Sequence, residues 1–393
     1  MQKFYIIGMS DDHRQHFAPE VVETISRGKI FSGGRRHHEI VRPLLPPEAE
    51  WIDITVPIDA VFTRYEGCPE VVVFASGDPL FFGFANTVRR KLPEAQIVLF
   101  PSFNSLQMLA HRMLLPYQDM RTVSLTGRPW DAFDAALIEG ERLIGALTDR
   151  EKTPARIAAR MLEYGYDNYR MTVGEALGNR QEERVRTLSV SEAAQETFGL
   201  PNCLILERTT IRPRPFGIPE GEFHLLDGRS KMITKMPIRL LSLSLLSLHE
   251  KTSLWDIGFC TGSVSIEAKL QFPSLKVTAF ERRPEGLELM MLNSRKFGTP
   301  GIEALAGDFL ETATDGLPAP DAVFIGGHGG KMMEIMQKID RMLLPGGCIV
   351  FNSVSAESRE LFIEAVERTG RKVTRQIRMA VDAFNPIDVM KAE

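Results

Sequence analysis

The chain has 393 residues, 44% of them hydrophobic and 25% charged, with a formal net charge of −4. That is more length than one average domain needs and enough apolar material for large cores, so two domains are expected. Charges of both signs are interspersed, which argues against a nucleic acid or an anionic membrane as partner, and no stretch reaches the roughly 20 apolar residues of a bilayer span. A soluble, cytoplasmic protein is expected. Cys68, Cys203, Cys260 and Cys348 are scattered without a C-x-x-C pair, which predicts free thiols and neither a disulfide framework nor a thiolate metal site.

The first half alternates apolar, β-rich runs with helical patterns. Strands are predicted at Phe4 to Ile7, Val71 to Ala75, Ile97 to Phe100, Arg121 to Leu125, Arg142 to Leu147 and Cys203 to Leu206, and helices at Ser105 to Leu114 and Pro154 to Gly165. The strands fall into an early and a late set joined through LPYQD, so this part reads as two α/β lobes divided near 115–120. His13 and His16 share a helical face and His37 and His38 are adjacent, but no acid-rich second motif completes a metal site. No metal is expected.

From Thr209 to Gly221, TTIRPRPFGIPEG breaks the periodicity with three prolines and two glycines and reads as an interdomain linker. Beyond it strands are predicted at Leu254 to Ile257, Lys276 to Phe280, Glu303 to Ala306, Ala322 to Ile325, Cys348 to Asn352 and Thr374 to Ala380, with spacers long enough for crossover helices. A last run, Ile387 to Met390, follows a turn at Asn385-Pro386 and can return antiparallel. This rhythm predicts a Rossmann-like, mostly parallel, doubly wound sheet with its ligand outside the carboxyl ends of the strands.

SLWDIGFCTGSVSIEAKL carries the sharpest chemical signal. Asp256 ends a buried strand, and Gly258, Cys260, Thr261 and Gly262 lead into a helix, where a glycine-lined turn and free amides suit an anionic group such as a methionine carboxylate. A dinucleotide site places its first glycine directly after the strand, whereas D-x-G-x-x-x-G is closer to the methyltransferase form. Glu281 ends the next strand, where an acid meets ribose hydroxyls or is merely an exposed strand end. Asp308, in LAGDF, is placed either to accept from an adenine amino group or to cap the FLE turn. Asp321 opens DAVFIGGHGG, whose four glycines around His328 can let a large flat substrate approach the backbone. An ordinary tight turn is the alternative.

DIGFCTGSVSIEA, with MITKMPIR upstream and DAVFIGGHGG downstream, resembles the decarboxylating precorrin methyltransferase domain of cobalamin biosynthesis, over essentially all of 222–393. The resemblance implies a class I methyltransferase fold with a seven-stranded, mostly parallel sheet. It also implies S-adenosylmethionine as methyl donor and methylation at carbon 15 of a corrinoid with loss of the carbon 12 acetate carboxyl. Two positions depart from the family: Cys260 stands where glycine is usual, and Pro237 where an acid is usual. The Cβ of Cys260 predicts backbone angles outside the region that only glycine takes easily. Pro237 fits a first helical turn with Thr234 as N-cap. Lys235 and Arg239, with Arg229 and Lys231, form a basic cluster that either faces solvent or pairs with substrate carboxylates.

VVVFASGDPLFFG, with FPSFNSLQMLAHRMLLPYQDMRTVSLTGR and GALTDREKTPARIA, resembles the tetrapyrrole methylases, over 1–208, in particular the branch acting at carbon 5. The resemblance implies a bilobed domain that holds a second S-adenosylmethionine with Gly8, Ser76, Gly77, Asp78, Pro79, Thr126 and Thr148. Met9, Ser10, Asp11 and Asp12 stand where the family has more glycine, and Asn104 where serine is usual. GGRRHH, from Gly33 to His38, places Arg35 and Arg36 as candidates for orienting substrate carboxylates, with a solvated turn as the alternative.

The two resemblances together imply a bifunctional enzyme acting on a small-molecule tetrapyrrole, and a homo-oligomer is the expected assembly. Alternatives are one catalytic domain with a silent binding module, or a nicotinamide-dependent oxidoreductase. No residue is singled out as an acid, base or nucleophile, because methyl transfer from a sulfonium works mainly by positioning and water exclusion.

Overall fold

The computed structural model describes residues 2–229, 231–381 and 386–393. Its compact units do not follow a single cut in the sequence: one comprises Met1–Arg128, Arg142–Ala159 and Asn168–Thr209, the other Pro129–Glu141, Arg160–Asp167 and Thr210–Glu393.

The first unit opens with β1 (Lys3–Met9), α1 (Pro19–Arg27), β2 (Ile30–Gly33), α2 (Arg35–Val41), β3 (Glu50–Asp53), α3 (Ile58–Tyr65), β4 (Glu70–Ser76), α4 (Phe84–Lys91) and β5 (Gln96–Phe100). These five strands form a parallel sheet in the order β3-β2-β4-β1-β5. Period-two alternation explains why both faces are buried: Val71, Val73 and Ala75 of β4 enter one core, Val72 and Phe74 the other.

There follow α5 (Ser105–Met113), β6 (Arg121–Ser124), α6 (Asp131–Glu139), β7 (Leu143–Leu147), α7 (Pro154–Glu163), β8 (Tyr169–Glu175), β9 (Arg184–Ser189), α8 (Val190–Ala193) and β10 (Asn202–Arg208). A second sheet has the order β6-β7-β10-β8-β9; its β6-β7 pair is parallel and its other pairs antiparallel. Asn104 caps α5, its side chain accepting from Gln107 N at 2.9 Å.

The second unit continues with α9 (Met236–Leu245), β11 (Ser253–Ile257), α10 (Ser263–Gln271), β12 (Lys276–Glu281), α11 (Glu285–Phe297), β13 (Ile302–Ala306), β14 (Ala322–Ile325), α12 (Met332–Met342), β15 (Cys348–Ser353), α13 (Ala356–Arg368), β16 (Val373–Met379) and β17 (Ile387–Ala392). They make a seven-stranded sheet, β13-β12-β11-β14-β15-β17-β16, parallel except at β17, which returns antiparallel between β15 and β16. The antiparallel return of the last run is as expected; Asn385, half of the expected turn, lies outside the described residues.

The expected linker has no regular structure before Glu220, yet it is anchored within the second unit. Ile218 is buried, Gly217 N donates to Glu267 Oε1, and Gln271 Nε2 donates to Pro215 O at 3.0 Å. Arg239 fixes the same segment. Its side chain is fully buried, with Nε donating to Glu267 Oε2 at 2.5 Å, Nη1 to Thr234 O at 2.9 Å and Nη2 to Ile218 O. This corrects the expectation that Arg239 orients a substrate: its donors are spent on the scaffold, and no part of it meets solvent.

Removing one member of a fully buried ion pair strands the other charge, at a cost of about 3–5 kcal/mol. Glu267→Ala is therefore expected to lower the unfolding free energy by about that amount in urea titrations. The double variant Arg239→Met with Glu267→Leu should recover most of the loss; a single variant within about 1 kcal/mol of wild type would show that the pair carries no such constraint.

Candidate active site

The loops following β11, β12, β13 and β14 meet at the carboxyl ends of the strands, where open α/β sheets bind their ligands. They enclose a cavity of about 560 Å³, within the roughly 300–1,000 Å³ span of small-molecule sites. Gly258 and Cys260 line it after β11, Glu281, Arg282 and Arg283 at and after β12, Gly307, Asp308 and Phe309 after β13, and Gly326 to Gly329 after β14. Lys231, Thr234, Lys235 and Ile238 close it from the side of α9, and Lys331, Ile335 and Asn352 from the side of α12 and β15.

The glycines are where the backbones touch. A Cβ on Gly258, whose φ is +79°, would stand 3.0 Å from Gly327 N, and one on Gly326 would stand 2.9 Å from Gly258 O. Gly262, with φ +75°, caps α10, and a Cβ there would press into Met290. Cys260 departs from expectation. It takes the left-handed region, φ +50°, which costs an L-residue with a Cβ about 1–2 kcal/mol. Two contacts hold it there: its N donates to Glu281 Oε2 at 2.9 Å and its Sγ to Met232 O at 3.2 Å.

Glu281 is buried rather than an exposed strand end. Its second oxygen accepts from Arg283 N at 2.9 Å and from the Arg283 guanidinium at 3.2 Å. Asp308 holds the local turn and also lines the cavity. Oδ1 accepts from Leu310 N at 3.0 Å in a local turn, while Oδ2 pairs with Lys331 Nζ at 3.0 Å on the cavity wall. Those donors, the Leu310 amide first, hold its carboxyl below the usual range.

Asp256 and Thr261 lie beneath the loop rather than at the cavity surface, a correction to their assignment as cofactor contacts. Asp256 is fully buried and accepts from Ser265 Oγ at 2.6 Å; burial pushes its carboxyl up to about 7. Thr261 is held by its carbonyl, which accepts from Asn293 Nδ2 at 2.9 Å. Asn293, on α11, was not flagged in the sequence because nothing in its spacing reveals that it reaches the turn. Thr234 is not the N-cap of α9. That position is Lys235, with Pro237 in the first turn, and Glu220 Oε1 accepts from Met236 N at 2.5 Å. Lys235 keeps its place as a substrate-orienting candidate on the wall, joined by Lys231, Arg282, Arg283 and Lys331. The last three were missed because isolated basic residues after strands carry no motif.

In the first unit, the end of β1 packs on the loop after β4. A Cβ on Gly8 would stand 2.0 Å from Gly77 O, and Gly77 N donates to Met9 O at 2.8 Å. Asp78 turns this loop, accepting from Leu80 N at 2.8 Å, and Pro79 is buried beneath it. The guanidinium of Arg128 lies 5.4 Å over the ring of Phe82, so the loop carrying Thr126 approaches this one. Thr126 Oγ1 donates to Thr148 O at 3.0 Å. Arg36 reaches Ser76 and Asp11, whereas Arg35 is exposed and pairs with Glu39 on its own helix.

Two family models match. Tetrapyrrole (Corrin/Porphyrin) Methylases covers residues 3–194 and Precorrin methyltransferase domain covers 226–392. A precorrin-6Y C(5,15)-methyltransferase [decarboxylating] of Sinorhizobium sp is 32% identical over 390 residues, 98% of this chain and 92% of the relative. The chain belongs to this methyltransferase family. Its second half is also 36% identical over 162 residues to a cobalt-precorrin-6B C(15)-methyltransferase (decarboxylating) of Salmonella typhimurium, 41% of this chain and 83% of that one. A crystal structure of a precorrin-6Y C5,15-methyltransferase from Geobacter metallireducens, 34% identical, covers 47% of this chain and 99% of its own, with a TM-score of 0.42.

Two variants test the loop. Cys260→Gly is expected to raise the thermal unfolding midpoint by the equivalent of about 1 kcal/mol, and Cys260→Val to lower it, because only glycine takes this φ without strain. For Asp256, the folded chain holds a proton between its ordinary value of 3.8 and about 7 that the unfolded chain releases. Its contribution to stability is therefore complete below 3.8 and lost as pH rises through 7. In urea titrations across about pH 4 to 8, Asp256→Asn should gain steadily on wild type; parallel curves would contradict the burial argument.

Proposed function

We propose that the chain methylates a precorrin-6 type corrinoid at carbons 5 and 15, the first unit acting at carbon 5 and the second at carbon 15 with loss of the carbon 12 acetate carboxyl. One S-adenosylmethionine serves each unit. The observation that carries this reading is the second unit's cavity, whose glycine-lined, acid-bearing half adjoins a wall of Lys231, Lys235, Arg282, Arg283 and Lys331.

The donor fits the first half on chemistry: a backbone cradle at Gly258 that a Cβ would fill, Glu281 for vicinal hydroxyls and Asp308 for an amino group. When bound, it offers an electrophilic methyl carbon on a sulfonium, which a ring carbon attacks as the carbon–sulfur bond breaks. The chain's residues act by placement. The cationic wall pairs with acetate and propionate groups of the ring, which suits a polycarboxylate better than a neutral ligand. Ile238, Phe309 and Ile335 exclude water, which strengthens those pairings and protects the attack geometry. No side chain of the chain is required as an electron sink for decarboxylation, because the conjugated ring fills that role.

A cytoplasmic homo-oligomer completes the reading, and light scattering of the pure chain tests the assembly. Calorimetry should find two donor molecules per chain, and product mass should show two added methyls and one lost carbon dioxide. Unchanged mass, or tight nicotinamide binding instead, would overturn the reading. Glu281→Ala should weaken donor binding to the second unit by roughly 10- to 100-fold, the range for a lost hydrogen bond to a charged group.

A further inference from the structure

The cavity of the second unit must treat carboxylates in two ways. Those of the ring that do not react are held, whereas the carbon 12 acetate carboxyl has to leave as neutral carbon dioxide. A cation paired with the departing carboxyl favours the bound state over the transition state, because the charge it pairs with is disappearing. A neutral donor orients the same group with far less of that cost.

His328 is built to be such a donor. It lines the cavity in the loop after β14, its ring centroid 5.8 Å from that of Phe351 and the two rings 80° apart. Left-handed angles at Gly329 and Gly330, φ +54° and +82°, fold the chain back so that Gly330 N donates to His328 Nδ1 at 3.2 Å. An accepting Nδ1 leaves the ring proton on Nε2. Among the described residues none accepts from Nε2. Burial holds the ring below its ordinary value, so it is neutral at ordinary pH; Glu357, at the start of α13, pulls the other way without outweighing burial. The cations of the same cavity stand on other elements: Arg282 and Arg283 follow β12, Lys331 precedes α12, and Lys235 precedes α9. Asn352, also uncharged, is committed elsewhere, its Oδ1 accepting from Ser242 Oγ at 3.0 Å and its Nδ2 buried.

We propose that His328 selects the departing carboxyl: its Nε2–H donates to the carbon 12 acetate, while the lysines and arginines take the acetates and propionates that stay. The bond that breaks joins the acetate methylene to its carboxyl carbon, and its electron pair passes into the conjugated ring. Carbon dioxide leaves uncharged, and the methylene carbon then takes one proton from water. His328 neither gains nor loses a proton. It keeps the breaking bond aligned with the π orbitals of the ring and holds the carboxyl less strongly as the charge leaves. This assignment rests on the second unit being the site of carbon 15 methylation and carbon dioxide loss.

The test uses the full chain with S-adenosylmethionine and a precorrin-6 type substrate, following carbon dioxide release and product mass with time. His328→Lys places a cation at the same point. It should lower the KM for the corrinoid yet slow carbon dioxide release about tenfold or more, as expected when a bound carboxylate is stabilised and its transition state is not. His328→Gln, which keeps a neutral N–H near the Nε2 position, should stay close to wild type in both. His328→Ala should slow release with a raised KM. A merely structural role predicts instead that lysine and glutamine fail alike. Donor binding read by calorimetry is the folding control; if His328→Lys loses it, the comparison of His328→Gln with His328→Ala decides. Wild-type release from His328→Lys, or a His328→Gln variant no better than His328→Ala, overturns the assignment while the second-unit reading stands. A wild-type chain whose product keeps the acetate carboxyl overturns both.

Discussion

The second unit depends on a charge that has been taken entirely out of water. Arg239 and Glu267 are both fully buried, and desolvating two ions is tolerated only where every remaining donor and acceptor is met. Here the requirement organises the architecture. The guanidinium gathers the carbonyls of Ile218 and Thr234, and the carboxylate takes the amide of Gly217, so an irregular segment, the start of α9 and the flank of α10 converge on one point. The wall bearing Thr234, Lys235 and Ile238 is set by that convergence. A basic residue read from its neighbours as part of a binding face is the hidden peg on which the face hangs.

Where periodicity is strong, the sequence told most of the fold. The central parallel strands of the second unit, β11, β12, β14 and β15, are short apolar runs between turn signals, found because burial on both faces leaves no polar alternation to confuse the pattern. β2, β3, β8 and β9 were not. β2 and β3 have four residues each, and β9, at a sheet edge, carries Arg184, Val185 and Thr187 on exposed positions, so little periodic signal marks these three.

The site was legible in its backbone but less so in its side chains. Glycines at 258 and 262 do stand where close approach or a left-handed angle demands them. Cys260 shows the limit of that logic: a side chain can occupy a glycine angle when an acid from the next strand and a carbonyl from a distant loop hold it there, and neither partner is near in sequence. Asp256 and Thr261 were placed one layer too high for a similar reason. A motif gives the order of residues along a turn but not which of them points inward, and inward is where an apolar sheet has room for a carboxyl only if it largely keeps its proton.

The partition of the chain into compact units carries a lesson about modularity. α6 and the end of α7 precede the proline-rich segment by dozens of residues, yet Pro129–Glu141 and Arg160–Asp167 belong with the carboxy-terminal body. Ile138 of α6 shares a core with Ile218, Phe223 and Met290, and Tyr166 donates to Gly298 O at 2.7 Å. A gene cut at the linker would therefore not be a clean excision. It would bare an apolar seam on the released half and strip two pieces from its fabric, so the fusion here is woven rather than strung.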